Sequence, residues 1–198
     1  VADENLAFTD YFFSEFGDIQ HCAGRTLSAD DVKDADSLLV RSVTQVNEVL
    51  LQNSSIKFVG SATIGTDHLD IAALEQHGIQ WSNAAGCNAQ AVAEYVITAL
   101  LQVRPELLDA NTTFTLGIVG LGNVGTRLAY MAKLLGWRVI GCDPFVQREQ
   151  VDQVEFHELL QQADAVSIHV PLTKTGAYPT YHLFNAAALA QMQPDAIL

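Results

Sequence analysis

The stretch Thr115-Leu116-Gly117-Ile118-Val119 runs directly into Gly120-Leu121-Gly122-Asn123-Val124-Gly125. A short apolar run, then G-x-G-x-x-G, then residues that favour helix, leaves few folds open. It predicts a buried strand, a tight turn, and a helix whose first N–H groups, at Asn123 and Val124 among them, face an anion. Gly120 is expected to permit the turn and Gly122 to let the backbone approach a pyrophosphate. Gly125 is expected to bring helix and strand into close contact. The next apolar run ends Ile140-Gly141-Cys142-Asp143, eighteen residues beyond Gly125. An acid at about that distance suits the hydroxyls of an adenosine ribose and repels a 2′-phosphate. The nearest arginine that follows is Arg148, so the pattern favours NAD over NADP. A plain Asp143-Pro144 turn is the alternative.

The rest of the chain repeats the same grammar. Apolar runs at Leu38–Ser42, Ile56–Gly60 and Ile79–Ser82 alternate with helical stretches at Gln45–Leu51 and Asp67–His77. A longer helix is expected over Ala89–Val103, stopped by Pro105, with a connection from Arg104 to Thr113. Strands are then expected at Phe114–Val119, Trp137–Cys142 and Ala165–Val170. Helices are expected at Asn123–Leu135, Phe156–Gln162 and Asn185–Gln191. Short apolar runs separated by helical patterns indicate parallel βαβ units. Two doubly wound α/β domains, 1–87 and 88–198, are the economical reading. Val1–Asn5 and Ala196–Leu198 both read as strand stubs, and further residues are expected beyond Leu198.

Composition narrows the function classes. The 198 residues carry 23 acidic and 10 basic side chains, a net charge of −13. Without a basic cluster, neither a nucleic acid nor an anionic membrane surface is an expected partner. An apolar share of 49% and a charged share of 17% fit a folded chain with a real core. The longest apolar stretch, Ala91–Val103, is too short to span a bilayer, and a cytoplasmic location is expected. Cys22, Cys87 and Cys142 lie far apart without a C-x-x-C pair, so no metal site is expected and buried thiols are. Cys87, with no base beside it, reads as packing.

Three further segments sit where open α/β sheets bind ligands, beyond the carboxyl ends of strands. Arg41 and Ser42 suit a phosphate or a carboxylate; a surface ion pair is the equal alternative for Arg41. The loop Gly60-Ser61-Ala62-Thr63-Ile64-Gly65-Thr66-Asp67 exposes N–H groups that can hold a carboxylate, or forms a plain capped turn. His68, placed in the first turn of the next helix, reads as structural rather than catalytic. His169-Val170-Pro171 ends a strand beside the glycine loop, where a dinucleotide can rest against backbone and Pro171.

Together these residues resemble the D-isomer-specific 2-hydroxyacid dehydrogenases. The resemblance runs through Ala2–Asn5, Leu39–Thr44, Phe58–His68, Gly86–Ala89, Val92–Tyr95 and Gly120–Gly125, and so spans almost the whole chain. It implies a flavodoxin-like substrate domain followed by a Rossmann-like NAD-binding domain, incomplete here. It implies NAD as cofactor, bound at Gly120, Gly122, Asn123, Val124, Gly125, Asp143, Val170 and Pro171. Val170 stands where a relative can carry a small polar residue, so only a backbone contact is expected there. The substrate implied is a small phosphorylated hydroxy acid, held by Ser42 and Thr63 with Arg41 nearby. A homodimer is implied for the full-length protein. The family's catalytic Arg, Glu and His match no residue of this chain and are expected beyond Leu198. A dehydrogenase for another 2-hydroxy acid, such as 3-phosphoglycerate, and a non-catalytic NAD sensor of the same fold remain open.

Overall fold

A computed structural model describes residues 1–109 and 111–198. The chain divides into two compact units, Val1–Ala85 and Gly86–Leu198.

In the first unit, in chain order, β1 (Ala2–Asp3), α1 (Thr9–Phe13), β2 (His21–Cys22), α2 (Ala29–Val32) and β3 (Ser37–Val40) come first. Then follow α3 (Glu48–Leu51), β4 (Phe58–Ser61), α4 (Ile71–Gln76) and β5 (Gln80–Asn83). The five strands are all parallel, in the order β2-β1-β3-β4-β5. This is the flavodoxin-type doubly wound order. Leu38, Val40 and Val59 of the sheet bury against Leu50 and Leu51 of α3 and Leu74 of α4. A fully buried leucine of this kind contributes enough that truncation to alanine costs about 2–5 kcal/mol.

The second unit opens with α5 (Ala89–Val103), whose buried Ala89, Ala93, Ile97 and Leu100 fall on one stripe. Arg104 leaves the helix with φ −128° and ψ 71°, outside the α region that a following proline disfavours. Pro105–Leu108 forms a 3₁₀ turn. The connection expected over 104–113 includes Ala110, which lies outside the described residues. Next come β6 (Thr115–Val119), α6 (Asn123–Leu134), β7 (Arg138–Cys142) and β8 (Asp152–Gln153). The unit ends with α7 (Phe156–Gln162), β9 (Ala165–Ile168) and α8 (Ala186–Leu189).

These strands are also all parallel, in the order β8-β7-β6-β9. That is the 3-2-1-4 start of the Rossmann order, and Ile197 adds a parallel bridge to Ala165. The two faces of β6 diverge residue by residue. Leu116 and Ile118 bury with Leu128, Ala129 and Ala132 of α6 and with Ala93 and Ile97 of α5. Val119 buries with Leu159, Leu160 and Ala163 on the opposite side. Gly117 is on that side too, and a Cβ there would lie 2.8 Å from Leu159 and 2.9 Å from Ala163. The expected class, two doubly wound parallel α/β domains, is what the chain adopts.

Several boundaries move for local reasons. The helix expected from Gln45 starts at Glu48, because the Asn47 side chain accepts from the Leu50 N–H at 3.1 Å. Val46 is instead drawn into a parallel bridge with Leu69. The helix expected from Asp67 starts at Ile71, with Asp70 accepting from the Ala73 N–H at 3.0 Å. The helix expected from Asn185 starts one residue later, since Asn185 itself caps it. The cysteine reading needs correction. All three thiols are free, but Cys87 is exposed and Cys22 and Cys142 are only partly buried. Cys87 therefore does not pack into a core.

Candidate functional site

A tight turn joins β6 to α6. Gly120 adopts φ +93°, and its N–H donates to the Cys142 carbonyl at 2.9 Å. A Cβ at Gly120 would sit 2.5 Å from the His169 carbonyl oxygen. At Gly125 a Cβ would fall 1.9 Å from the Gly120 carbonyl oxygen, so helix and turn touch backbone to backbone. Gly122 differs. It is extended, with φ −71° and ψ −154°, and apart from its chain neighbours nothing lies within 4 Å of where its Cβ would be. Sterics inside the protein demand the outer two glycines, while the middle one keeps a space open.

That space lies at the start of α6. No side chain caps the helix, so N–H groups of its first turn, from Asn123 and Val124 onward, lack a side-chain acceptor. Together with the helix dipole they favour an anion. The Asn123 side chain is turned toward Gly86, where a Cβ would lie 2.8 Å from Asn123 Nδ2. Val170 packs on the turn, its Cγ1 standing 2.8 Å from the Cβ position of Gly120. Pro171 is exposed. His169 forms a hydrogen bond with Ser167 through Nε2 at 2.9 Å, and burial pushes its imidazole below the ordinary histidine range.

Asp143 follows β7, the neighbour of β6, so it emerges beside the glycine turn. Its Oδ2 accepts from the Leu121 N–H at 2.8 Å. Its Oδ1 accepts from the N–H groups of Phe145 at 2.9 Å and Val146 at 3.1 Å. The turn alternative is realised, and it leaves the ribose reading open. Two donors on Oδ1 build the turn, and Oδ2 retains a lone pair on a partly exposed carboxylate. Sequence reasoning treated Arg148 as remote. The structure folds it back, with Nε donating to the Leu121 carbonyl at 3.3 Å and Thr126 Oγ1 at 3.2 Å. Its own N–H is held by Gln153 Oε1 at 3.0 Å, a contact no local pattern announces. The uncapped helix start, the open Gly122 position and the adjacent acid fit a dinucleotide. Next to them, the Cys142 thiol is pushed up by burial and by Glu155 and Asp143.

In the first unit, Ser42 and Thr63 leave neighbouring parallel strands at the same edge. Val40 pairs with Ser61, and the Ala62 N–H donates to the Val40 carbonyl at 2.9 Å. The Thr63 loop is tied to the end of β5 by the Asn83 amide on the Ile64 carbonyl at 2.6 Å. Ser42 is exposed and Thr63 partly so. Arg41 is paired with an acid, though a buried one rather than one at the surface. Its Nε lies 3.1 Å from Asp3 Oδ1, a carboxylate with no exposed side-chain surface. His68 is the residue that sequence reasoning placed wrongly. It precedes α4 rather than opening it and is 1% exposed. Its Nε2 lies 2.8 Å from Ser61 Oγ, which lies 2.8 Å from Thr63 Oγ1.

Among the described residues no cluster could hold a metal ion, and no helix is long and apolar enough to cross a membrane. Comparison with known proteins agrees with the fold. Residues 9–149 match the D-isomer specific 2-hydroxyacid dehydrogenase catalytic domain, and residues 102–198 match that family's NAD binding domain. An Acinetobacter baumannii protein named erythronate-4-phosphate dehydrogenase is 72% identical over this entire chain and 56% of its own length. A Pseudomonas putida protein of the same name is 48% identical over 100% of this chain and 52% of its own length. The chain thus spans about half the length of the curated relatives it matches. The NAD⁺-bound 3-phosphoglycerate dehydrogenase of Entamoeba histolytica superposes with a TM-score of 0.69 at 28% identity, covering 83% of this chain and 57% of that one. By sequence, fold and cofactor turn alike, the chain belongs to the D-isomer-specific 2-hydroxyacid dehydrogenases.

Proposed function

We propose that the protein oxidises 4-phosphoerythronate to 2-oxo-3-hydroxy-4-phosphobutanoate with NAD, on the route to pyridoxal phosphate. The observation that carries this reading is 72% identity, along the whole chain, to a relative named for that substrate. The first domain, 1–87, is the substrate side and the second, 88–198, the cofactor side. Gly120, Gly122, Asn123, Val124 and Gly125 hold the pyrophosphate against the start of α6, and Asp143 accepts from the ribose hydroxyls. Val170, by backbone only, and Pro171 flank the cofactor. Ser42 and Thr63 bind the phosphorylated hydroxy acid. Arg41, held by Asp3, adjoins Ser42 on the same side.

When bound, NAD supplies the hydride acceptor. The parts of this chain bind and orient; none of its residues is assigned as acid or base. The family's Arg, Glu and His are expected beyond Leu198, where the His removes the hydroxyl proton. The whole protein is expected to be a cytoplasmic homodimer.

The test is NADH formation by the full-length protein from 4-phosphoerythronate and, separately, from 3-phosphoglycerate. A higher kcat/KM for 4-phosphoerythronate supports the reading. A preference for 3-phosphoglycerate makes it a different dehydrogenase, and NAD binding without turnover of either points to a sensor.

A further inference from the structure

The loop that carries Thr63 ends in a buried histidine for which the reaction gives no task. His68 is 1% exposed and its Nδ1 has no hydrogen-bond partner. Its backbone is pinned as well, since the His68 carbonyl accepts from the Val46 N–H at 2.8 Å. From its Nε2 a line of short contacts leads outward, to Ser61 Oγ at 2.8 Å and from there to Thr63 Oγ1 at 2.8 Å. The line ends at the Gly65 carbonyl, 3.4 Å from Thr63 Oγ1.

The direction of this line is fixed at both ends. A carbonyl can only accept, so Thr63 donates to Gly65. Ser61 must then donate to Thr63, and His68 must donate to Ser61 from Nε2. At the other end, the opposite tautomer would bury an Nδ1–H with no acceptor. Orphaned buried N–H groups are rarer than orphaned acceptors. Both ends select the same arrangement.

We propose that His68 is a positioning residue: protonated on Nε2, it orients Ser61 and through it Thr63, so that the Thr63 hydroxyl presents its hydrogen to an anionic oxygen of the substrate. This rests on Thr63 being a substrate contact, as argued above. The bond to Gly65 is long and lies at the weak end of hydrogen-bond geometry. A carboxylate or phosphate oxygen is the stronger acceptor and would take the hydrogen over. Without the histidine, Ser61 and Thr63 can each rotate, and Thr63 can donate inward to Ser61 instead.

The test is steady-state kinetics of the full-length protein with 4-phosphoerythronate. Thr63→Val should raise KM roughly tenfold or more, the range for loss of a hydrogen bond to a charged group, with a smaller change in kcat. His68→Leu should do the same. His68→Gln, whose amide N–H can still donate to Ser61, should restore KM to within about twofold of the parent. In the double variant Thr63→Val/His68→Leu, KM should be no higher than in Thr63→Val alone, because the two act as one line. Ser61→Ala breaks the line while leaving the buried ring in place, and gives the same reading if His68→Leu does not fold. Additive effects, failure of the glutamine to restore KM, or an unchanged KM in both His68→Leu and Ser61→Ala would each overturn the role of His68. An unchanged KM in Thr63→Val would instead overturn the substrate contact itself.

Discussion

The backbone N–H of Leu121 donates to Asp143 Oδ2 at 2.8 Å, tying the tip of the glycine turn to the acid that follows the next strand. The same carboxylate also accepts from Phe145 and Val146. One side chain therefore fixes the turn and presents an acceptor beside it. Asp143→Ala should weaken NAD binding by about 1–3 kcal/mol, the range for hydrogen bonds to a charged group. It should also narrow the preference over NADP, because the group that repels a 2′-phosphate is gone while Arg148 stays at the turn. Calorimetry with both cofactors checks this, and an unchanged NAD affinity would remove Asp143 from the site.

Gly125 and Gly122 should respond differently to a single methyl group. At Gly125 a Cβ meets backbone at 1.9 Å, so Gly125→Ala should destabilise the second unit by about 3 kcal/mol, the upper range of overpacking. At Gly122 a Cβ meets nothing within 4 Å, so Gly122→Ala should leave thermal stability almost unchanged. Its methyl group would occupy the approach to α6, and NAD affinity should fall by roughly tenfold or more. Thermal denaturation and NAD titration of the two variants separate these outcomes. A stable Gly125→Ala, or a Gly122→Ala that binds as well as the parent, would contradict the geometry.

Stability should decline on mild acidification. Burial holds the imidazoles of His68 and His169 below the ordinary histidine value, against a smaller opposing pull from Asp67 on His68. In the unfolded chain both titrate at about pH 6.5. Between that pH and their lower folded values the unfolded state binds more protons, so stability rises with pH. Their contribution is complete above about pH 6.5, falls below it, and is lost once the pH has passed below the folded values. Urea midpoints measured across this range should drop toward acid, less steeply in His68→Gln. A midpoint that rises on acidification would contradict the burial of these rings.

Ser42→Ala and Thr63→Ala in the full-length protein should each raise KM for the phosphorylated substrate while leaving NAD affinity unchanged. Ser42 follows β3 and Thr63 follows β4, both in the first unit, whereas the glycine turn belongs to the second. If neither variant alters KM or kcat, the anion is bound elsewhere.

Where the sequence spoke clearly, it did so through period and punctuation. Ala89–Val103 and Phe156–Gln162 begin and end as their apolar spacing and the Pro105 stop imply. The strand, glycine turn and helix at Thr115–Leu134 were legible for the same reason. The early elements were not. Thr9–Phe13 has five residues, three of them aromatic and exposed, and β2 has two, too few to show a period. Helix starts slipped where an Asn or Asp capped a later turn, as at Asn47 and Asp70. In the site, Asp143 could be found by counting from the glycines. His68 could not, because its burial follows from the Val46–Leu69 bridge that folds its loop onto the sheet. Arg148 needed β8 and Gln153 to bring it back to the turn.

The claim that these residues bind and orient while the acid–base groups lie beyond Leu198 is tested most directly by one paired assay. NADH formation from 4-phosphoerythronate is followed for the full-length protein and, beside it, for residues 1–198 alone. The full-length protein should turn over. The shorter chain should lose at least the roughly 10²–10⁴-fold that a missing general base costs, with NAD binding at the glycine turn retained. Comparable turnover by both would show that the catalytic groups already lie within these 198 residues.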